Sequence, residues 1–110
     1  MSQVRTYSQQ TVDAARLLGL EIARARRARR WTINELAERA GVSRITVRAA
    51  EAGTPTVAIG TVFELTTILG IDLFGASPAE LPELLAGGRD RLALLPARVR
   101  QPATPIDDDF

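Results

Sequence analysis

Thr32 to Gly53, TINELAERAGVSRITVRAAEAG, is the stretch that leaves this chain the fewest ways to fold. Thr32-Ile33-Asn34-Glu35 is a Thr-x-x-Glu capping box. In such a box the hydroxyl and the carboxylate each satisfy a backbone N–H that a helix start leaves unpaired. Leu36, Ala37 and Ala40 follow as an inner face at helical spacing. Gly41 stands where a left-handed C-cap is needed, a conformation glycine adopts without steric cost. Ser43 is placed to cap a second helix from about Arg44 to Ala52, with Val47 and Ala50 inward, and Gly53 stops it. The small residues Ala37 and Ala40 fall where the two helices cross, and Val47 locks the second onto the first. Two short helices joined by a tight turn, with the second free to project outward, make a helix-turn-helix.

The flanking residues supply the rest of a core. From about Ser8 to Arg29, Ala15, Leu18, Ile22 and Ala25 recur at spacings of three and four and give one narrow apolar stripe. Arg24, Arg26, Arg27, Arg29 and Arg30 crowd the end of that helix, where cations suit the macrodipole; Arg27, Arg29 and Arg30 read as a solvated face. A fourth helix is expected from about Ala58 to Leu69, its core face lined by Ile59, Val62, Leu65 and Leu69 and its end set by Gly70. Ile71, Leu73 and Phe74 then close the core. No strand-like alternation occurs, so the expected fold is all-α: a compact bundle of four to five helices with a flexible C-terminal tail.

Beyond Gly75 the texture changes. Ser77-Pro78-Ala79-Glu80 is another capping box, Pro82 is expected to shorten or kink the helix it opens, and Gly87-Gly88 to break it. Leu81, Leu84, Leu85, Leu92 and Leu95 are available for packing onto the chain itself or onto a second copy. The ending ARVRQPATPIDDDF has too little apolar surface to offset its ordering entropy. The expected organisation is a flexible N-terminus at 1–10, a helix-turn-helix domain at 11–74, a helical dimerisation or linker segment at 75–96 and a disordered acidic tail at 97–110.

Composition removes whole classes of function. The chain has no Cys and no His, which takes away thiolate and imidazole chemistry, and no metal site or cofactor is expected. No carboxylate–hydroxyl cluster stands in for them, so no enzyme is expected. All 14 basic side chains are Arg, the residue whose planar fork grips phosphate and guanine edges. Residues 1–70 hold ten Arg against six acids, a net +4, whereas residues 71–110 hold four Arg against seven acids, a net −3. A basic front and an acidic back point to surfaces with different partners. With no membrane-length apolar run and no export signal, the expected location is cytoplasmic and nucleoid-associated, with no membrane partner. A chain of 110 residues leaves no room for an effector domain, so no small-molecule effector is expected.

Residues 18–71 resemble the Cro/C1-type (XRE) helix-turn-helix family, through Leu18-Gly19, Ile22, Arg26, the Thr32–Gly53 stretch and the LGIDL that ends the fourth helix. The resemblance implies a lambda-repressor-like domain that binds double-stranded DNA. It puts Arg44, Ile45 and Ala49 on base-facing positions and Ser43, Thr46 and Arg48 near the backbone or groove wall. The starts of helices two and four, at Thr32, Ile33 and Thr56, fall where the family holds phosphate, and Arg26 with Glu51 matches a structural ion pair bridging the first and third helices. Ile33 departs from the Gln often found there, and Ala50 from a large apolar residue. The chemistry agrees: Arg44, in the first turn of its helix, has the fork to reach guanine, and Ile45 offers apolar contact to a thymine methyl. The implied mode is a homodimeric repressor on an inverted-repeat operator, with half-sites roughly 34 Å apart.

The ending VRQPATPIDDDF, with the chain's size and its leucine-rich linker, resembles the HipB-type antitoxins of type II toxin–antitoxin systems. That resemblance implies autoregulation of an operon and neutralisation of a HipA-like serine/threonine kinase toxin, with Asp107, Asp108, Asp109 and Phe110 as the partner-binding tail. Two other readings stand beside it. One is a stand-alone regulator with an inert tail. The other is an interaction module without DNA binding, which Ile33 favours and the intact Ser43–Arg48 segment opposes.

Overall fold

The computed structural model describes residues 6–99. Its five α-helices are, in chain order, α1 (Gln9–Ala28), α2 (Ile33–Ala40), α3 (Arg44–Glu51), α4 (Ile59–Leu69) and α5 (Leu81–Ala93), the last preceded by a 3-10 turn at Pro78–Glu80. The described residues contain no strand, as the all-α expectation requires. The chain divides into two units, Met1–Gly75 and Ala76–Phe110.

Local chemistry sets the helix ends. The Ser8 hydroxyl accepts the Thr11 N–H at 3.3 Å, so α1 starts at Gln9. Gln9 and Gln10 are therefore helical and do not belong to a flexible 1–10 segment. At α2 the Thr32 hydroxyl accepts the Glu35 N–H at 3.1 Å, and the Glu35 carboxylate accepts the Thr32 N–H at 2.9 Å. At α3 the Ser43 hydroxyl accepts the Thr46 N–H at 3.1 Å. Gly41 closes α2 at φ +68°, in the left-handed region that its lack of a Cβ opens.

The core of the first unit is built on Ile22, Leu36, Val47 and Leu65, all but inaccessible to solvent, with Ala25, Ala37, Ala50 and Leu69 filling between them. Burying each of the four large side chains is worth about 1.5–3 kcal/mol. Leu18, Trp31, Ile33, Val62 and Ile71 pack around this centre.

Two apolar residues expected in the core are outside it. Ile59, the first residue of α4, is 71% exposed, because the core layer of that helix consists of Leu65, Thr66 and Leu69 with Val62 at its edge. Phe74 is 76% exposed and holds φ +62°, with its ring edge-on to Phe63 at 6.3 Å between centroids. Ile71 does pack against the core, and Leu73 is half-buried. Thr66 takes a buried place unforeseen from periodicity, its hydroxyl satisfied by donating to the Phe63 carbonyl at 2.9 Å.

In the second unit α5 runs unbroken through Gly87-Gly88. A helical glycine costs about 1 kcal/mol relative to alanine but forbids nothing. Pro82 sits in the first turn, where its missing N–H would have been unpaired anyway. No residue of α5 is buried.

Candidate nucleic-acid interface

The geometry begins with what holds α3. Arg26, near the end of α1, donates from Nε to Glu51 Oε2 at 2.6 Å and from Nη2 to Glu51 Oε1 at 3.1 Å. Its third nitrogen, Nη1, donates to the Trp31 carbonyl at 2.8 Å. One guanidinium thus ties the end of α1, the end of α3 and the α1–α2 connection. Both side chains are about 90% buried, so the pair is a fixed fork and not a loose surface contact. Beyond α3, Gly53 (φ +76°) lies against the backbone of α1: a Cβ there would come within 2.5 Å of the Arg16 Cα. The C-terminal end of α3 is clamped on α1 by both contacts.

With Val47 and Ala50 inward, α3 presents the opposite face to solvent. Arg44, Ile45 and Arg48 are exposed there, and Thr46 and Ala49 are half-buried at its edge. Ile45 is 79% exposed, a large apolar side chain held in water with no partner in its own unit's core. The Ser43 and Thr46 hydroxyls lie 2.9 Å apart, so Ser43 is engaged as a cap as well as standing at the helix start. Arg44 and Arg48, one turn apart, give this face its positive charge.

Beside this face runs a shallow groove of about 370 Å³ between α3 and the start of α4. Ile45, Thr46 and Ala49 form one wall; Thr54, Thr56, Ala58 and Thr61 contribute to the other. Thr54 and Thr61 escaped the sequence reading. The signal for Thr54 was its place directly after Gly53; Thr61 carried none. Ala58 caps α4 with no side-chain hydrogen bond, unlike the Ser8, Thr32 and Ser43 caps of the earlier helices. The first N–H groups of α4 therefore open to solvent beside the groove, a ready seat for an anion.

The start of α2 is arranged differently. Thr32 is exposed, but its hydroxyl and its backbone N–H are both committed to Glu35. Those hydrogen bonds, the backbone one first, hold the Glu35 carboxyl below its ordinary range, with the Arg39 charge adding to the effect. Its negative charge stands at the helix start that the family resemblance assigns to phosphate. Ile33 is half-buried and packs against the core. Neither residue lines the α3–α4 groove.

Among the other arginines, Arg27, Arg29 and Arg30 are exposed, as a solvated face requires. Arg29 and Arg39 both lie over the Trp31 ring, at 5.5 and 4.2 Å from its centroid. The described residues contain no group of carboxylates that could hold a metal ion and no helix long and apolar enough to cross a membrane. Asp107, Asp108, Asp109 and Phe110 lie outside the described residues, as does the tail from residue 100 onward.

Residues 22–75 match the family model described as helix-turn-helix. No curated protein and no solved structure matches the chain.

Proposed function

From the helix-turn-helix domain that residues 22–75 form, we propose that this chain is a sequence-specific transcriptional repressor acting as a homodimer on an inverted-repeat operator. One observation carries the reading. Arg44, Ile45 and Arg48 stand exposed on a single face of a helix whose far end is clamped, beside a groove rimmed by hydroxyls and uncapped N–H groups. In this reading α3 enters the major groove, Arg44 reads guanine, Ile45 and Ala49 make apolar contact with base edges, and Arg48 and Thr46 meet the groove wall. Ser43 and Thr56 flank the backbone, with the α4 N-terminus as the stronger phosphate seat. Thr32 and Ile33 contribute through backbone position alone. The test is selection of duplexes from a randomised pool by the full chain, followed by titration over a salt series. A two-fold consensus and a steep loss of affinity with salt are expected; recovery of no preferred sequence would overturn the reading.

The narrower role, an antitoxin that represses its own operon and neutralises a HipA-like serine/threonine kinase, is supported by the acidic-aromatic ending PIDDDF and the charge asymmetry between the two halves. An acidic segment with one aromatic anchor suits folding onto a basic groove. Purification of the full chain and of a version ending at Arg100 from source cells tests it. A kinase retained by the first and weakened in the second is the expected result. Retention by neither would make the chain a stand-alone regulator.

A further inference from the structure

The helix α5 carries four exposed leucines, Leu81, Leu84, Leu85 and Leu92, with Leu94 and Leu95 exposed just beyond its end, and buries none of them. A 13-residue helix is marginal in water without packing, and two central glycines weaken it further. Leu81, Leu85, Gly88 and Leu92 follow one stripe of α5, four and three residues apart, with Leu84 at its margin and Glu83 and Asp90 on the opposite face, and Leu95 follows just past the helix end. Nothing inside the unit requires glycine at position 88. Its backbone is helical, and a Cβ there would meet nothing nearer than Arg91 Nη2 at 3.9 Å. At the C-terminal end the stripe opens into a shallow groove of about 540 Å³ lined by Arg89, Leu92, Ala93, Leu95, Pro96 and Ala97.

We propose that α5 pairs antiparallel with α5 of a second copy of this chain, each Leu85 seated over the partner's Gly88 and each Leu81 entering the groove beside the partner's Leu92. Two features select this arrangement. Large side chains meet the one gap in the stripe, whereas a parallel pair would face glycine with glycine and leave a void across a layer. Glu80, in the 3-10 turn just before α5, and Arg91, in its last turn, stand at opposite ends of the helix, so only the antiparallel pair brings each Glu80, whose Oε1 also accepts the Ser77 N–H at 2.8 Å, to the same end as the partner's Arg91. The pairing rests on the dimeric reading above and supplies the surface that reading lacks.

Sedimentation equilibrium of the full chain without DNA tests it. A dimer is expected, with its dissociation constant raised at least about 100-fold by Leu85→Asp or Leu92→Asp. Gly88→Leu is the discriminating variant. It raises helix propensity and would tighten a parallel pair, but in the antiparallel pair it collides with the partner's Leu85 and loosens the dimer. Thermal unfolding of each variant confirms that the first unit stays folded. A monomeric wild-type chain, a tightened Gly88→Leu dimer, or Asp variants that remain dimeric through the exposed Ile59, Phe63 and Phe74 would each overturn the pairing. Duplex selection on the same samples separates the two readings. A monomer that still selects an inverted repeat overturns the pairing alone, whereas a leucine-dependent dimer with no sequence preference upholds the pairing and overturns the repressor reading.

Discussion

Gly19 on α1 and Glu51 at the end of α3 approach so closely that a Cβ on the glycine would stand 2.5 Å from the Glu51 carbonyl oxygen and 2.7 Å from that of Ala50. The obstacle is backbone, which cannot swing aside as a long side chain can. Gly19 is helical, so alanine would ordinarily gain about 1 kcal/mol there. Here Gly19→Ala is expected to destabilise by about 1–3 kcal/mol instead, because α1 and α3 must separate. Thermal denaturation checks the sign, and a stabilised variant would mean that α3 is not clamped at this point.

The buried fork between Arg26 and Glu51 makes a second expectation. Removing one partner leaves the other charge buried, at a cost of about 3–5 kcal/mol, whereas replacing both with apolar residues of similar volume comes near neutral. Arg26→Met and Glu51→Leu are each expected to lower stability sharply, and the double variant to recover most of the loss. The Trp31 carbonyl, which also accepts from Arg26, stays unpaired in the double variant and limits that recovery. A double-mutant cycle by chemical denaturation gives the coupling directly; additive losses would show that the pair does not act as a unit.

Acid should loosen the start of α2 in particular. The Thr32 hydrogen bonds hold the Glu35 carboxyl below its ordinary range, so the folded chain binds that proton less readily than the unfolded one. The contribution is present above the unfolded pKa and is lost as pH falls through the depressed folded value. Glu80, held down by Ser77, behaves in the same way. Glu35→Gln is expected to lower stability on the neutral side and so to flatten the acid limb, with the two chains converging at low pH, where Glu35 is protonated. An unaltered acid limb would assign that dependence to other carboxylates.

The features legible in the sequence were those that local chemistry decides. Ser43, Thr32, Gly41 and Gly70 mark helix ends because a cap needs only its near neighbours, and α2, α3 and their turn were legible for that reason. Arg26 and Glu51 are 25 residues apart, a separation with no local signature, and came only through the family resemblance. Periodicity misplaced Ile59 because a helix as uniformly apolar as α4 does not announce which of its apolar residues face inward. Gly87-Gly88 reads as a break on propensity alone, yet α5 runs through it. Along the α3–α4 groove, Ile45, Thr46 and Ala49 come from α3, but Thr54 and Thr61 reach it through the path of the loop and the start of α4, which spacing along the chain does not encode.

Arg44 and Arg48 occupy one face of α3, a turn apart, and different roles for them predict different losses. If Arg44 reads a guanine through its fork, Arg44→Ala removes a contact worth about 1–3 kcal/mol for the preferred base and next to nothing for the others. The selected consensus should then blur at one position in each half-site while remaining two-fold. If Arg48 meets phosphate, Arg48→Ala weakens all duplexes alike and lowers the slope of log affinity against log salt by about one for each DNA-bound copy. Selection and salt titration on the two variants side by side check both, since each variant serves as the other's control. An Arg44→Ala chain with an unchanged consensus would remove α3 as the reading helix, whatever became of overall affinity.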